Sequence, residues 1–264
     1  MARHRCHYAC AVAALLTTMP GGVQARPAQL PQVQPSADRV PANLLRISLT
    51  FARPVEGSVL SRLALMRADG SVVEAPFLPQ ELWSPDGTVL TLLLHPGRVK
   101  TGLQARAALG PILTANETVT LTLDGRPLCT WQVDADDNEG PDLASWRIAP
   151  VGAGTRQALA IVLDAAVDGR AAGHIGIADA QGRRVLGKAV LGIGEDRWIF
   201  TPDRPWRPGR YRLVVRRTLE DAAGNRPDGR FETAPGTSAE AVADQVRDFT
   251  VEASGRVRDR RPPP

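Results

Sequence analysis

Lysine is almost absent from this 264-residue chain. Lys100 and Lys188 are the only two, and arginine supplies the rest of the 32 basic residues, a compositional bias to which we assign no chemistry. Histidine (4) and cysteine (3) are scarce as well, and beyond residue 25 the histidines are His95 and His174. No His-Glu-x-x-His, no paired cysteines and no His pair at metal-ligand spacing occurs, which removes the common zinc motifs. There is no Gly-x-Ser-x-Gly elbow. The glycines from Gly187 to Gly194 lack the Lys-Ser/Thr of a phosphate loop and read as an ordinary loop. No catalytic residue, metal ligand or cofactor is therefore expected. Carboxylates are frequent enough for two to meet in a cleft, so an exported hydrolase stays open as an alternative, but nothing singles out a pair. Long apolar runs are missing too: Ala9–Leu16 is far short of the ~20 residues that cross a bilayer.

What the N-terminus does have is the layout of a secretory signal peptide. Arg3 and Arg5 precede that short apolar run, Pro20-Gly21-Gly22 breaks it, and Val23-Gln24-Ala25 offers small residues at a cleavage site. Residues 1–25 are read as the signal peptide, so the mature chain is expected to start at Arg26 in the periplasm or at the cell surface, without a transmembrane segment. Cleavage removes Cys6 and Cys10. Cys129 is then alone and cannot form an internal disulfide; its place beside Trp131 and Val133 on one alternating face marks it as a small core residue. The net charge is +4. Half of it lies in residues 1–25 and half in the tail from Glu252, leaving the body neutral, so no nucleic-acid partner is expected.

Proline (22) and glycine (24) are plentiful, as suits many short strands joined by turns. Residues 26–38, rich in Pro and Gln, read as a flexible leader. Alternation from Leu45 to Phe51, apolar residues from Thr88 to Leu94, and alternation from Thr118 to Leu123 predict strands. Asp124-Gly125 predicts a hairpin into Leu128–Val133. Residues 134–142 are acidic and carry no large apolar side chain. As a calcium loop they fail, with Glu139 where Gly is needed and Ser145 where Glu is needed, so 136–142 is read as a linker between two separately folding halves, 39–135 and 143–252. The second half has β runs at Leu159–Leu163, His174–Ile177, Arg197–Phe200 and Arg210–Val215. Thr237 and Glu240 have capping-box spacing, so 235–247 is either a short helix or an inserted loop. Arg247–Glu252 reads as a last strand, and 253–264 as a disordered basic, Pro-rich tail.

The halves repeat one plan. Leu45–Val55, Leu65–Val73 and Thr88–Leu92 match Leu159–Val167, Ile177–Val185 and Arg197–Thr201 in order and spacing, which points to tandem duplication. Two segments of the second half, Phe200–Val215 and Leu219-Glu-Asp-Ala-Ala-Gly-Asn225, resemble the bacterial Ig-like domains of the SbsA type over residues 143–235. The first half fits more loosely: it lacks the Asp-x-Ala-Gly-Asn turn, and Thr118 stands in place of the strand-opening tyrosine. The resemblance implies an all-β chain of two tandem immunoglobulin-like sandwiches with spacing or adhesive roles and no catalytic residues. Asp221, Gly224 and Asn225 are expected to shape a turn, metal-free, and Tyr211 to act as a corner tyrosine.

Trp131 and Trp198 lie on apolar strand faces and belong to the core. Trp83 and Trp206 sit beside turns, where they either close an end of a sandwich or stand exposed to stack on a sugar or partner. The expected function is a non-catalytic envelope or surface module for interaction or spacing, whose partner, an envelope protein or a glycan, the sequence does not name. The alternatives are a periplasmic two-domain chaperone acting by β-augmentation and a carbohydrate-binding protein.

Overall fold

The computed structural model describes residues 29–99, 104–227 and 243–253. The signal segment, the start of the leader, residues 235–242 of the helix-or-loop stretch, and the tail from 254 lie outside them. The first half contains β1 (Gln32–Gln34), β2 (Arg39–Pro41), β3 (Arg46–Thr50), β4 (Leu63–Arg67), β5 (Leu82–Trp83), β6 (Val89–Leu93), two short helices α1 (Pro96–Val99) and α2 (Gln104–Leu109), β7 (Thr118–Leu123) and β8 (Arg126–Asp134). The second contains β9 (Arg147–Ile148), β10 (Leu159–Val162), β11 (Ile175–Asp179), β12 (Gly187–Leu191), β13 (Arg197–Pro202), β14 (Gly209–Val215) and β15 (Gln245–Val251). Residues 245–247 of the helix-or-loop stretch thus open the last strand.

The sheets are β1-β3-β6-β5 facing β2-β8-β7-β4, then β9-β10-β13-β12 facing β11-β14-β15. Each half therefore places its first, second, fourth and fifth matched strands in one sheet and its third, sixth and seventh in the other, the arrangement of an immunoglobulin-like sandwich. The first half adds β2, which pairs with β8 in parallel at Val40 and Val133. The chain is all-β with two tandem Ig-like sandwiches. Among the described residues no helix is long and apolar enough to cross a membrane.

Alternation explains the cores. Ile47 and Leu49 on β3, Leu90 and Leu92 on β6, and Val119 and Leu121 on β7 meet Trp131 and Val133 on β8. Leu159, Ile161, Ile175, Ile177, Trp198, Phe200 and Leu213 build the second core. Ser48 and Thr91 are buried too, because β3 and β6 are central strands whose backs are also covered. Asp124 and Gly125 both take positive φ, 51° and 72°, which fits the tight turn of the β7–β8 hairpin.

The leader reading needs correcting. Val33 pairs with Leu49 in β1–β3, and the Trp131 indole N–H donates to the Pro35 carbonyl at 3.2 Å. A three-residue edge strand beside a proline has too little alternation to stand out from a linker, and an edge is where a sheet tolerates proline.

In the first half the β6–β7 connection folds around Arg98, which is 2% exposed. Its guanidinium donates to the carbonyls of Gly110 (3.0 Å), Ala75 and Leu109 (both 3.2 Å), Pro111 (3.4 Å) and Glu74. Burial pulls its pKa down, yet the charge persists because five carbonyl dipoles replace water. Arg98→Leu leaves those carbonyls without a donor and is expected to destabilise the first domain by about 3 kcal/mol or more in chemical denaturation. A loss under about 1 kcal/mol would show that the loop does not depend on it.

Candidate functional site

The Leu219–Asn225 turn is built inside the second domain but is finished by the first. Asp221 Oδ1 accepts the backbone N–H groups of Ala223 and Asn225, both at 2.8 Å. Gly224 holds φ +84°, a conformation that glycine adopts without penalty. The Asn225 side-chain amide donates to Asp221 Oδ2 (2.9 Å) and to the Asp137 carbonyl (3.0 Å). Asn43, in the first domain, donates to that same carbonyl at 2.7 Å and accepts from the Asp137 N–H at 2.9 Å. The Leu45 N–H donates to the Ala222 carbonyl at 3.0 Å, and the Ala222 side chain packs into the first domain's core.

The expectation of an acidic linker thus meets a pinned backbone. A Cβ on Gly140 would lie 2.0 Å from the Arg226 carbonyl, so the linker runs tightly against the turn. A second tie crosses the joint at Glu195. Its carboxylate is buried and accepts from the Ser36 N–H (2.8 Å) and hydroxyl (2.7 Å).

Beside this joint lies a cleft of about 450 Å³ walled by both domains. The first domain contributes Leu82 and Trp83 on edge strand β5, Arg46 on β3 and Thr91 on β6; the second contributes Asp168, Arg170, His174, Glu220 and Arg226. Arg46 pairs with Asp168 (3.3 Å) and with Glu220. Arg226 pairs with Glu220 at 2.9 Å. Arg170 reaches across the joint to donate to the Thr91 hydroxyl at 3.0 Å. The buried Nδ1 of His174 has no hydrogen-bond partner.

Trp83 and Trp206 separate here. Trp206 is buried: its N–H donates to the Gln157 carbonyl (2.9 Å) and its ring lies between Phe200 (6.1 Å) and Tyr211 (5.4 Å). An exposed role for Trp206 is excluded, since the following Arg207-Pro208-Gly209 turn folds it inward. Trp83 is half-buried: its N–H donates to Glu81 at 2.9 Å, and it packs against the first domain's core beside Phe51 at the border of the cleft. The Tyr211 hydroxyl donates to the Arg207 carbonyl at 3.1 Å and accepts from the Arg207 N–H at 3.2 Å. Burial pushes the Cys129 thiol up to about 12, so it is a poor nucleophile. Among the described residues no three His, Cys, Asp or Glu side chains are grouped to hold a metal.

Arg46, Asp168 and Arg170 were not singled out by sequence, and Glu220 was read only as part of a structural, metal-free turn. Arg46 occupies an ordinary polar position of an alternating strand, and only the joint brings it to acids more than a hundred residues away. Ala222 left no signal of its own, since Leu219 and Ala223 are apolar residues of the same turn. At the opposite end of the second domain's strands, Arg183, Arg184, Arg204, Arg207 and Arg210 line a wider groove of about 930 Å³.

Burial pushes the Asp221 carboxyl up to about 6, against the hydrogen bonds from Asn225 and Ala223 and with help from the nearby Asp137 charge. An acid whose pKa is higher folded than unfolded binds more protons in the native state between the two values. The cost of its charge is complete above about 6 and is relieved as pH falls toward the ordinary carboxylate range. Melting temperature is therefore expected to rise between pH 7 and 5, and Asp221→Asn to flatten that rise. An unchanged slope in the variant would assign the proton elsewhere.

No protein-family model matches the chain, and no curated protein matches it. Among solved structures, the chain is similar to domains 5–6 of the S-layer protein SbsC, with 9% identity and a TM-score of 0.25, covering 86% of this chain and 98% of that one. An L,D-transpeptidase from Mycobacterium smegmatis gives 14% identity and a TM-score of 0.26, covering 63% and 62%. Murine CEACAM1b gives 9% and 0.22, covering 85% and 99%. Likenesses this weak carry no functional argument, and the Ig-like assignment rests on strand order.

Proposed function

We propose that this is an exported, non-catalytic Ig-like protein of the cell envelope or surface that holds two sandwich domains in one fixed relation, as a spacer and interaction module. The observation that carries the reading is Ala222. A residue of the second domain sits in the first domain's core, within a turn whose hydrogen bonds close on both domains and on the linker. A spacer needs such a joint, because a loose tether would let the domains reorient. The resemblance of Phe200–Val215 and Leu219–Asn225 to SbsA-type domains supports the same reading, and the layout of residues 1–25 supports export.

The cleft carboxylates favour a non-catalytic role. Asp168 and Glu220 are both paired with Arg46, and Glu220 also with Arg226. Their oxygens are thus engaged by guanidinium groups and not presented to a glycosidic bond as a free carboxyl pair. The chaperone alternative is disfavoured at this cleft, since its edge strand β5 is two residues long and offers a client almost no ladder.

Fractionation of cells expressing the full chain, with mass spectrometry of the recovered protein, tests the address. Protein beginning at Arg26 in the periplasmic or surface fraction is expected; cytosolic protein retaining residues 1–25 contradicts export. Small-angle scattering of the mature protein is expected to fit a single domain arrangement, and a broad distribution of interdomain distances would contradict the spacer reading.

A further inference from the structure

We infer that the groove at the far pole of the second domain docks a linear acidic polysaccharide, whose carboxylates are held by Arg184, Arg204 and Arg207. Every residue of the groove belongs to the second domain, so the inference goes beyond the joint and its test does not depend on how the domains sit.

Strand direction places the groove. β11 and β13 end, and β12 and β14 begin, at the end of the sandwich away from the joint. The connections through residues 180–186 and 203–208 therefore meet there, tied by the Asp203 N–H on the Leu186 carbonyl at 2.9 Å. The groove between them has a volume of about 930 Å³. That is the upper end of the range for ligand sites, which suits a segment of a polymer more than a single small ion.

Charge sets the class of partner. Five arginines line the groove against Asp179 and Asp203. Arg183 pairs with Asp179 at 2.8 Å and Arg210 with Asp248 at 3.3 Å. Arg184, Arg204 and Arg207 are exposed and have no carboxylate partner among the described residues. Chain direction adds to this surplus. Val251 closes β15 opposite Gly209, a lining residue, so the chain leaves the sandwich beside the groove. The sequence past residue 253 contributes Arg256, Arg258, Arg260 and Arg261 against Asp259. A guanidinium binds a carboxylate through two parallel N–H bonds, and several along one groove select a polymer with charge repeated along its length.

The lining separates polymer classes. Trp206 and Tyr211 floor the groove but are only 2% and 7% exposed, so no ring is offered to the bases of a nucleic acid. The backbone beside it is already paired. The Ile177 carbonyl accepts the Val185 N–H at 2.8 Å and the Arg183 carbonyl accepts the Asp179 N–H at 2.9 Å, so an acidic peptide finds no free ladder. Asp203 has no side-chain partner among the described residues. It accepts from a sugar hydroxyl, whereas polyphosphate, all acceptors, is repelled there. A groove between two turns also wraps a chain, where a membrane surface reaches only the rims.

Titration of the mature protein with polygalacturonate, with its neutral methyl ester and with polyphosphate, followed by calorimetry, tests the inference. Saturable binding of polygalacturonate is expected, about tenfold or more tighter than that of the ester, and weakening as ionic strength rises. Arg204→Gln/Arg207→Gln is expected to lower that affinity about tenfold or more. The melting temperature is expected to stay unchanged, because Arg207 holds Tyr211 through its backbone alone. Polyphosphate binding as tight as that of polygalacturonate would reduce the groove to an unselective anion surface and overturn the assignment. Sedimentation with phosphatidylglycerol vesicles that is lost in Arg204→Gln/Arg207→Gln would assign the pole to a lipid surface instead. Polygalacturonate binding unmoved by the double variant but lost on removal of residues 254–264 would place the polymer on the tail. Absence of binding would overturn the site and leave the joint untouched.

Discussion

The carbonyl oxygen of Asp137 accepts two side-chain amides, one from Asn43 of the first domain and one from Asn225 of the second. A single linker oxygen thus joins both sandwiches. Breaking either bond leaves polar groups in a closed joint short of a partner, which costs more than the bond itself contributes in water. The same constraint positions Asp221, whose carboxylate binds the Asn225 amide and shapes the turn that carries Ala222 into the neighbouring core. The Leu45–Ala222 backbone bond then aligns β3 of the first domain against that turn.

The fixed domain arrangement proposed for function follows from this joint. Arg46 leaves β3 directly after Leu45, so fixing Leu45 sets where its guanidinium meets Asp168 and Glu220. Arg170, two residues beyond Asp168, is carried to Thr91 by the same docking. The walls of the cleft are secured at the joint, through the Arg46 ion pairs and the Arg170–Thr91 bond. The joint is expected to respond to pH through Asp221, whose charge burial makes costly.

The sandwich fold was legible because inward residues of short antiparallel strands alternate: Leu45–Phe51, Thr118–Leu123 and Arg210–Val215 show the period-two pattern that packing requires. The hairpin at Asp124-Gly125 and the turn at Asp221–Asn225 were legible because few residues accept those backbone conformations. β1 was not, since Gln32-Val33-Gln34 has one apolar residue and gains its place only by pairing with β3. Trp206 could not be placed from sequence, because a tryptophan beside a turn reads the same whether the chain bends it inward or outward. The cleft was least legible. Its ion pairs join Arg46 to Asp168 and Glu220 across two domains, and no local pattern in either half encodes that meeting.

Calorimetric unfolding of the mature chain bears most directly on the joint. Two domains locked through Asp137, Asp221 and Ala222 are expected to unfold in a single transition with agreeing calorimetric and van't Hoff enthalpies, and Ala222→Asp, which puts a charge into the first core, to split it in two. Two independent transitions in the unaltered chain, each unmoved by Ala222→Asp, would contradict the account.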